Sequence, residues 1–233
     1  MIDKQLNYGR HLIKKFISQA ESNTSILDIG AGRGQDLLFA REINNKTELY
    51  AVENYPPYIK NLQDNAITVY NLDIERDKLP FDNESLDIII VNQVLEHVKD
   101  VFWILHEITR VLKKGGHLIV GLPNLASFHN RLLLLLGEQP TIIQNNTAHV
   151  RGYTKSDFKK LLDSGFDSGY SLAHFGGSNF YPFPSLIAKP LAHLLPSMAW
   201  GIFMDWKKER PYLDNGFLKY PVEKQLETRF YLG

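Results

Sequence analysis

Apolar positions follow two spacings along this chain, one helical and one strand-like, and the two alternate. Leu12, Ile13, Phe16, Ile17 and Ala20 recur at helical intervals, which predicts an amphipathic helix over 4–21. A short strand at 25–29 ends in glycines and is followed by a helix at 35–43, a strand at 48–52 and a helix opened by Pro56 and Pro57. A third strand is expected at 66–70. The run LDIIIV at 86–91 is almost wholly apolar, as befits a central strand of a parallel sheet covered on both faces. Val101, Ile104, Leu105, Ile108, Val111 and Leu112 then mark one helix face behind an Asp100 N-cap, and Gly115-Gly116 lead into a strand at 117–121. Thr154 and Asp157 form a capping-box pattern before Phe158, Leu161 and Leu162, and Gly165 stops that helix. Strand and helix alternate five times, which calls for an α/β fold with a mostly parallel, doubly wound sheet. Residues 176–225, rich in proline and aromatics, read as an insertion before a last strand at 226–232.

Composition narrows the picture. The 233 residues carry 26 Lys+Arg against 26 Asp+Glu and no cysteine. One domain of this size can bury a substantial core. The charge balance disfavours nucleic acid as a partner, and the lack of cysteine excludes disulfides, thiol catalysis and Cys-ligated zinc. The charged start argues against a secretory leader, so a cytoplasmic location is expected. The apolar run 132–136 is too short to span a bilayer, and 184–204 is broken by Pro190 and Pro196.

The segment ILDIGAGRGQD at 26–36 is the most informative. Gly30, Gly32 and Gly34 sit between a strand and a helix, where glycine lets the chain turn and approach a ligand. The G-x-G-x-x-G spacing of dinucleotide folds is absent, since residue 35 is Gln. Glu53 ends the next strand, where a carboxylate can accept from both hydroxyls of a ribose. Asp73 follows the third strand, with Ile74 placed to pack on a flat ring. Each acid alone is an ordinary solvated strand end, but three in sequence, each at or just past a predicted strand, point to a nucleoside-type ligand.

Together, LDIGAGRG, AVEN, NLDIE, the stretch from LPFDNESLDIIIV to NQVLEHV, and ITRVLKKGGHLIVGLPN resemble the class I S-adenosylmethionine-dependent methyltransferases. The resemblance is closest to their small-molecule branch, with PNLASFHNRL similar to surface-glycan-cluster and MetW-like members. It covers residues 25–125 well and implies a seven-stranded Rossmann-like sheet with S-adenosylmethionine as cofactor. Asp28 would orient the methionine amine, Gly30 and Gly32 would admit the methionine part, and Glu53 with Asn54 would meet the ribose. Asp73 and Ile74 would frame the adenine, and Asn92 would offer its carbonyl to the amine. Tyr8 and Arg10 would close over the carboxylate, unless they are only surface packing. The expected core is 25–175 with 226–233, after an N-terminal helix in 1–24.

Methyl transfer from a sulfonium needs alignment more than electrostatic help, so no metal is expected. A hydroxyl acceptor needs a base, for which His149, beside Arg151 and Tyr153, is the first candidate, followed by His129, near Asn124, and His97. Their ordinary alternatives are turn-ordering or surface histidines. An Asp/Asn-Pro-Pro-Tyr turn after the fourth strand, used on adenine and glutamine amides, is missing; NYPPY at 54–58 follows the second strand and starts a helix. The expected acceptor is therefore a small molecule or glycan, taken at oxygen, with a protein acceptor still open. Competing readings are a non-catalytic cofactor-binding module and an NAD(P)-dependent oxidoreductase. Phe180, Tyr181, Phe183, Trp200, Phe203 and Trp206 are candidates to line an acceptor lid. Residues 184–210, with Lys207, Lys208 and Arg210, could instead contact a membrane surface or a second copy of the chain.

Overall fold

A computed structural model describes residues 3–20, 24–224 and 226. Seven strands form one sheet: β1 (Ser25–Ile29), β2 (Glu48–Val52), β3 (Thr68–Tyr70), β4 (Leu86–Asn92), β5 (Leu112–Pro123), β6 (Tyr170–Ser178) and β7 (Gly201–Lys208). Their order is β3-β2-β1-β4-β5-β7-β6. The first five run parallel, and β7 is antiparallel to both β5 and β6. The helices are α1 (Arg10–Gln19), α2 (Gln35–Ile43), α3 (Pro56–Asp64), α4 (Val101–Val111), α5 (Phe128–Leu135), α6 (Lys155–Gly165), α7 (Ser185–Leu194) and α8 (Gly216–Glu223).

Alternation along each strand builds two cores. Ile26, Ile88, Ile90 and Ile119 face Ile13, Phe16 and Ile17 of α1, Leu37 of α2 and Leu62 of α3. Leu27, Ile29, Ile89 and Val91 face the other way, toward α4, Phe158 and Leu162 of α6 and Phe217 of α8. Asp28 has the parity of Ile26, so its carboxyl enters the α1/α2 side rather than water. That placement organises the site described below.

Local signals fix several boundaries. Asp100 accepts from the Trp103 amide at 3.0 Å and starts α4, and Thr154 caps α6 by accepting from the Asp157 amide. Pro56 begins α3 in the first turn, which accounts for NYPPY. Asp87, near the start of β4, accepts from the backbone and hydroxyl groups of Thr24 and Ser25 and from Lys113 Nζ at 2.8 Å, tying β1 to β4.

Four expectations are corrected. The N-terminal helix is broken at Gly9, whose φ of +52° ends a 3-10 turn at Lys4–Tyr8 before α1 begins. The seventh strand is Gly201–Lys208, inside the segment expected to be inserted; what precedes it is only 179–200, and the strand expected at 226–232 lies, apart from Leu226, outside the described residues. Phe203 and Trp206 are fully buried core residues of β7 and line no lid. Lys208 is also fully buried, its Nζ donating to the carbonyls of Thr109 and Leu112 at 2.8 and 2.7 Å and to Glu84 at 3.2 Å. An ammonium committed to helix-end carbonyls cannot meet a lipid headgroup. Of the remaining aromatics, Phe180 and Phe183 pack with Phe128 beneath α7. Leu186, Ile187, Leu194 and Leu195 are exposed on and just after α7. Among the described residues no helix is long and apolar enough to cross a membrane.

Candidate active site

The parallel strands present their carboxyl ends along one edge, and two connected clefts open there, meeting at Gly30. The backbone of Gly30 turns at φ +74°, its amide donating to Val52 O at 2.8 Å; a Cβ there would stand 2.5 Å from Val94 Cγ2. Only glycine fits both the conformation and the space.

The first cleft, about 520 Å³, is lined by Tyr8, Arg10, Asp28, Gly32, Asp36 and Asn92 among others. Asp36 stands in the first turn of α2, and Asn92 ends β4. Asn92 Nδ2 donates to Asp36 Oδ2 at 3.1 Å and to Tyr8 O at 3.1 Å. Gly121 on the neighbouring strand makes room for that side chain, because a Cβ would fall 2.3 Å from Asn92 Oδ1. Arg10 stacks over the Tyr8 ring at 4.6 Å and holds its Nε 3.8 Å from Asp36 Oδ1. Burial raises the Asp28 pKa well above the carboxylate range, reinforced by Asp36 and by Glu53 and opposed by Arg10. Asp36 is raised too, first by burial, with Asn92 and Arg10 opposing.

Asp36 Oδ1, Asn92 Oδ1 and Arg10 Nε are buried without hydrogen-bond partners. Buried polar atoms are normally satisfied, so this set awaits one. Two orphaned acceptors among raised carboxyls fit an ammonium, and one guanidinium fits a carboxylate. These are the charged ends of the amino-acid part of the cofactor that the resemblance implies.

The second cleft, about 590 Å³, is lined by Val52, Glu53, Asn54, Leu72, Asp73 and Ile74 among others. Glu53 is nine-tenths buried, and its oxygens accept from the amides of Gly32 at 2.8 Å, Asn54 at 3.0 Å and Tyr55 at 2.9 Å. These bonds hold the carboxylate at the cleft mouth; Oε1 takes two of them and Oε2 only one, so Oε2 keeps lone-pair capacity for a hydroxyl. Asp73 is exposed and fixed by its own turn, accepting from the Glu75 amide, and Ile74 is half-buried beside it. All ten residues expected at the cofactor therefore lie along one continuous depression. Asp36 was not expected. Its only signal was an acid four residues past Gly32, which reads equally well as a charge favouring a helix start.

The three candidate histidines divide. His97 and His149 meet edge to face at 4.7 Å, beside Glu96. Glu96 Oε2 is buried without a partner, and burial pushes its pKa up to about 8. Burial also lowers the His97 pKa. His129 lies apart, its nitrogens engaged by Ser127 at 3.1 Å and Thr141 at 3.0 Å. Arg151 and Tyr153 do not assist His149: Arg151 donates to the carbonyls of Val98 and Lys99, and the Tyr153 hydroxyl to Leu95 O. Asn124 holds the carbonyls of Ser197 and Ala199.

Residues 27–120 match a family model described as a methyltransferase domain. A protein of Methanocaldococcus jannaschii is 31% identical over 106 residues, which is 46% of this chain and 48% of that protein. A 37.1 kDa protein from a Streptomyces fradiae transposon is 28% identical over 109 residues, 45% of this chain and 32% of the relative. The chain thus spans a third to a half of the length of the curated relatives it matches. Among solved structures, a complex of the Haloferax volcanii Trm112 methyltransferase activator with a putative methyltransferase superposes with a TM-score of 0.62 at 14% identity, covering 88% of this chain and 92% of that one. A Thermotoga maritima S-adenosylmethionine-dependent methyltransferase, described as a possible histamine N-methyltransferase, gives 0.59 at 19% identity, also over 88% and 92%. At such identities the likeness to solved structures is one of fold.

Proposed function

We propose that this protein, whose residues 27–120 match a methyltransferase domain, is a class I S-adenosylmethionine-dependent methyltransferase that transfers the cofactor's methyl group to oxygen of a small-molecule or glycan-type acceptor. The observation that carries the cofactor part is the orphaned set of Asp36 Oδ1, Asn92 Oδ1 and Arg10 Nε in a cleft continuous with Glu53. When bound, the cofactor supplies an electrophilic methyl on a positive sulfur.

The chain's own residues hold and aim. Asp28, Asp36 and Asn92 receive the ammonium, Arg10 faces the carboxylate with Tyr8 behind it, and Gly30 and Gly32 admit the chain between them. Glu53, with Asn54, accepts from the ribose hydroxyls; Asp73 takes a hydrogen bond from the adenine amine while Ile74 packs on its ring. Residues at both ends of the depression would hold the cofactor and so fix the line of attack on its methyl group, and alignment would be the main source of rate. Glu96 and His97 follow β4, and His149 is brought against them by its own loop; these are the groups we offer for taking the proton of an acceptor hydroxyl.

The acceptor class rests on what this chain offers there. The Asn92-Gln93-Val94 turn lacks the paired prolines of amide and adenine methylation, and the zero net charge gives no polyanion a reason to bind. Incubating the protein and cell extract with methyl-labelled cofactor tests this: label should appear in the small-molecule or glycan fraction. Label only in protein or RNA would replace the acceptor class, and S-adenosylhomocysteine binding without transfer would favour a non-catalytic module.

A further inference from the structure

We propose that Glu96, His97 and His149 form a binding site for a divalent first-row transition cation, with one coordination position left open. One nitrogen from each imidazole and one carboxylate oxygen lie within 4.8 Å of one another. A tetrahedral ion with bonds of about 2.1 Å needs donor separations of roughly 3.4 Å, so side-chain rotations of about an ångström close the site.

The hydrogen bonds around the rings support this assignment. His97 Nδ1 lies 3.2 Å from Ala148 O, and His149 Nδ1 lies 2.8 Å from Ile142 O. A carbonyl only accepts, so each Nδ1 carries the proton and each Nε2 is left with a bare lone pair. Fixing a ring by donating its other N–H to a backbone carbonyl is how metal-binding histidines are commonly oriented. The third donor is incomplete: Glu96 Oε2 is buried with no partner, and the residue is only 2% exposed. Val150 and Arg151 donate their amides to Glu96 O, which ties the His149 loop to the turn carrying His97. The exposed edge of His97 leaves a path for the ion from solvent.

Two imidazoles and one carboxylate suit zinc and its first-row neighbours, and leave room for water or an acceptor hydroxyl. An oxygen bound there would lose its proton more easily. That use rests on the methyltransferase reading; the existence of the site does not.

The test is a titration of the untagged protein with cobalt(II) alone, read by visible ligand-field absorption, followed by displacement with zinc. One ion per chain should give bands that zinc abolishes. His97→Ala and His149→Gln should each weaken cobalt binding by at least about tenfold, while the exposed His193→Ala leaves it unchanged. Circular dichroism confirms that the variants fold; if either does not, Glu96→Gln carries the same prediction. Absence of bands, or bands indifferent to all three substitutions, overturns the site. Because no methyl donor is present, failure here leaves the methyltransferase reading standing, and cofactor binding that fails leaves the cation result intact.

Discussion

Asp87 holds β1 against β4 by accepting from the Thr24 and Ser25 amides, both hydroxyls and Lys113 Nζ, while only 4% exposed. The donors outweigh burial and hold its pKa down to about 2 from 3.8. A depressed carboxylate stabilises the folded state above its unfolded pKa and loses that effect as pH falls through the folded one. The shift is worth about 2.5 kcal/mol at pH 7 and about half of that at pH 3. Asp87→Asn should therefore destabilise by about 2–4 kcal/mol in urea at pH 7, since an amide also mismatches some donors. The gap from the native protein should narrow by roughly 1 kcal/mol on going to pH 3. Asp87 lies at the opposite end of β4 from the cleft, so the folded variant should bind S-adenosylhomocysteine as the native protein does. A gap that is the same at both pH values would refute the assignment of this energy to the ionised carboxylate.

Other substitutions probe the cleft and the core. Asp36→Asn should raise the melting temperature relative to the native protein increasingly as the pH rises above about 4, because a raised carboxyl pKa costs stability as the pH climbs through it; calorimetry should show weaker S-adenosylhomocysteine binding by roughly 10–100-fold. Gly30→Ala, strained at φ +74° and 2.5 Å from Val94, should lose about 1–2 kcal/mol from backbone conformation alone and lose ligand affinity, read by urea titration and calorimetry. Lys208→Met should destabilise by about 2–4 kcal/mol through the stranded carbonyls of Thr109 and Leu112, measured in urea. Vesicle flotation should not change with that substitution.

Pattern alone located the elements where burial follows a simple period. The helix at 35–43 and the strand at 48–52 coincide with α2 and β2 because glycine or turn residues bound them on both sides. The GIFMDWKK segment was hidden for a physical reason: β7 lies between β5 and β6 and is buried on both faces, so its side chains do not alternate with polar ones. Its Asp205 looks like a surface residue in sequence, yet it is buried between His117 at 2.7 Å and His174 at 2.9 Å. The cofactor edge could be read because glycine and acids recur at strand ends. Asp36 could not, since its role depends on Asn92 reaching it from β4. Nor could the pairing of His97 with His149, which are 52 positions apart and meet only when the 148–151 loop hydrogen-bonds back to Glu96.

Arg10, Asp36, Glu53 and Asn92 together should bind S-adenosylhomocysteine, which isothermal titration reads without intervening steps. One binding event per chain is expected, weakened at least about tenfold by Glu53→Gln because the carboxylate that meets the ribose is lost, with no heat from NAD. No binding, or binding that ignores Glu53 while NAD binds instead, would contradict it.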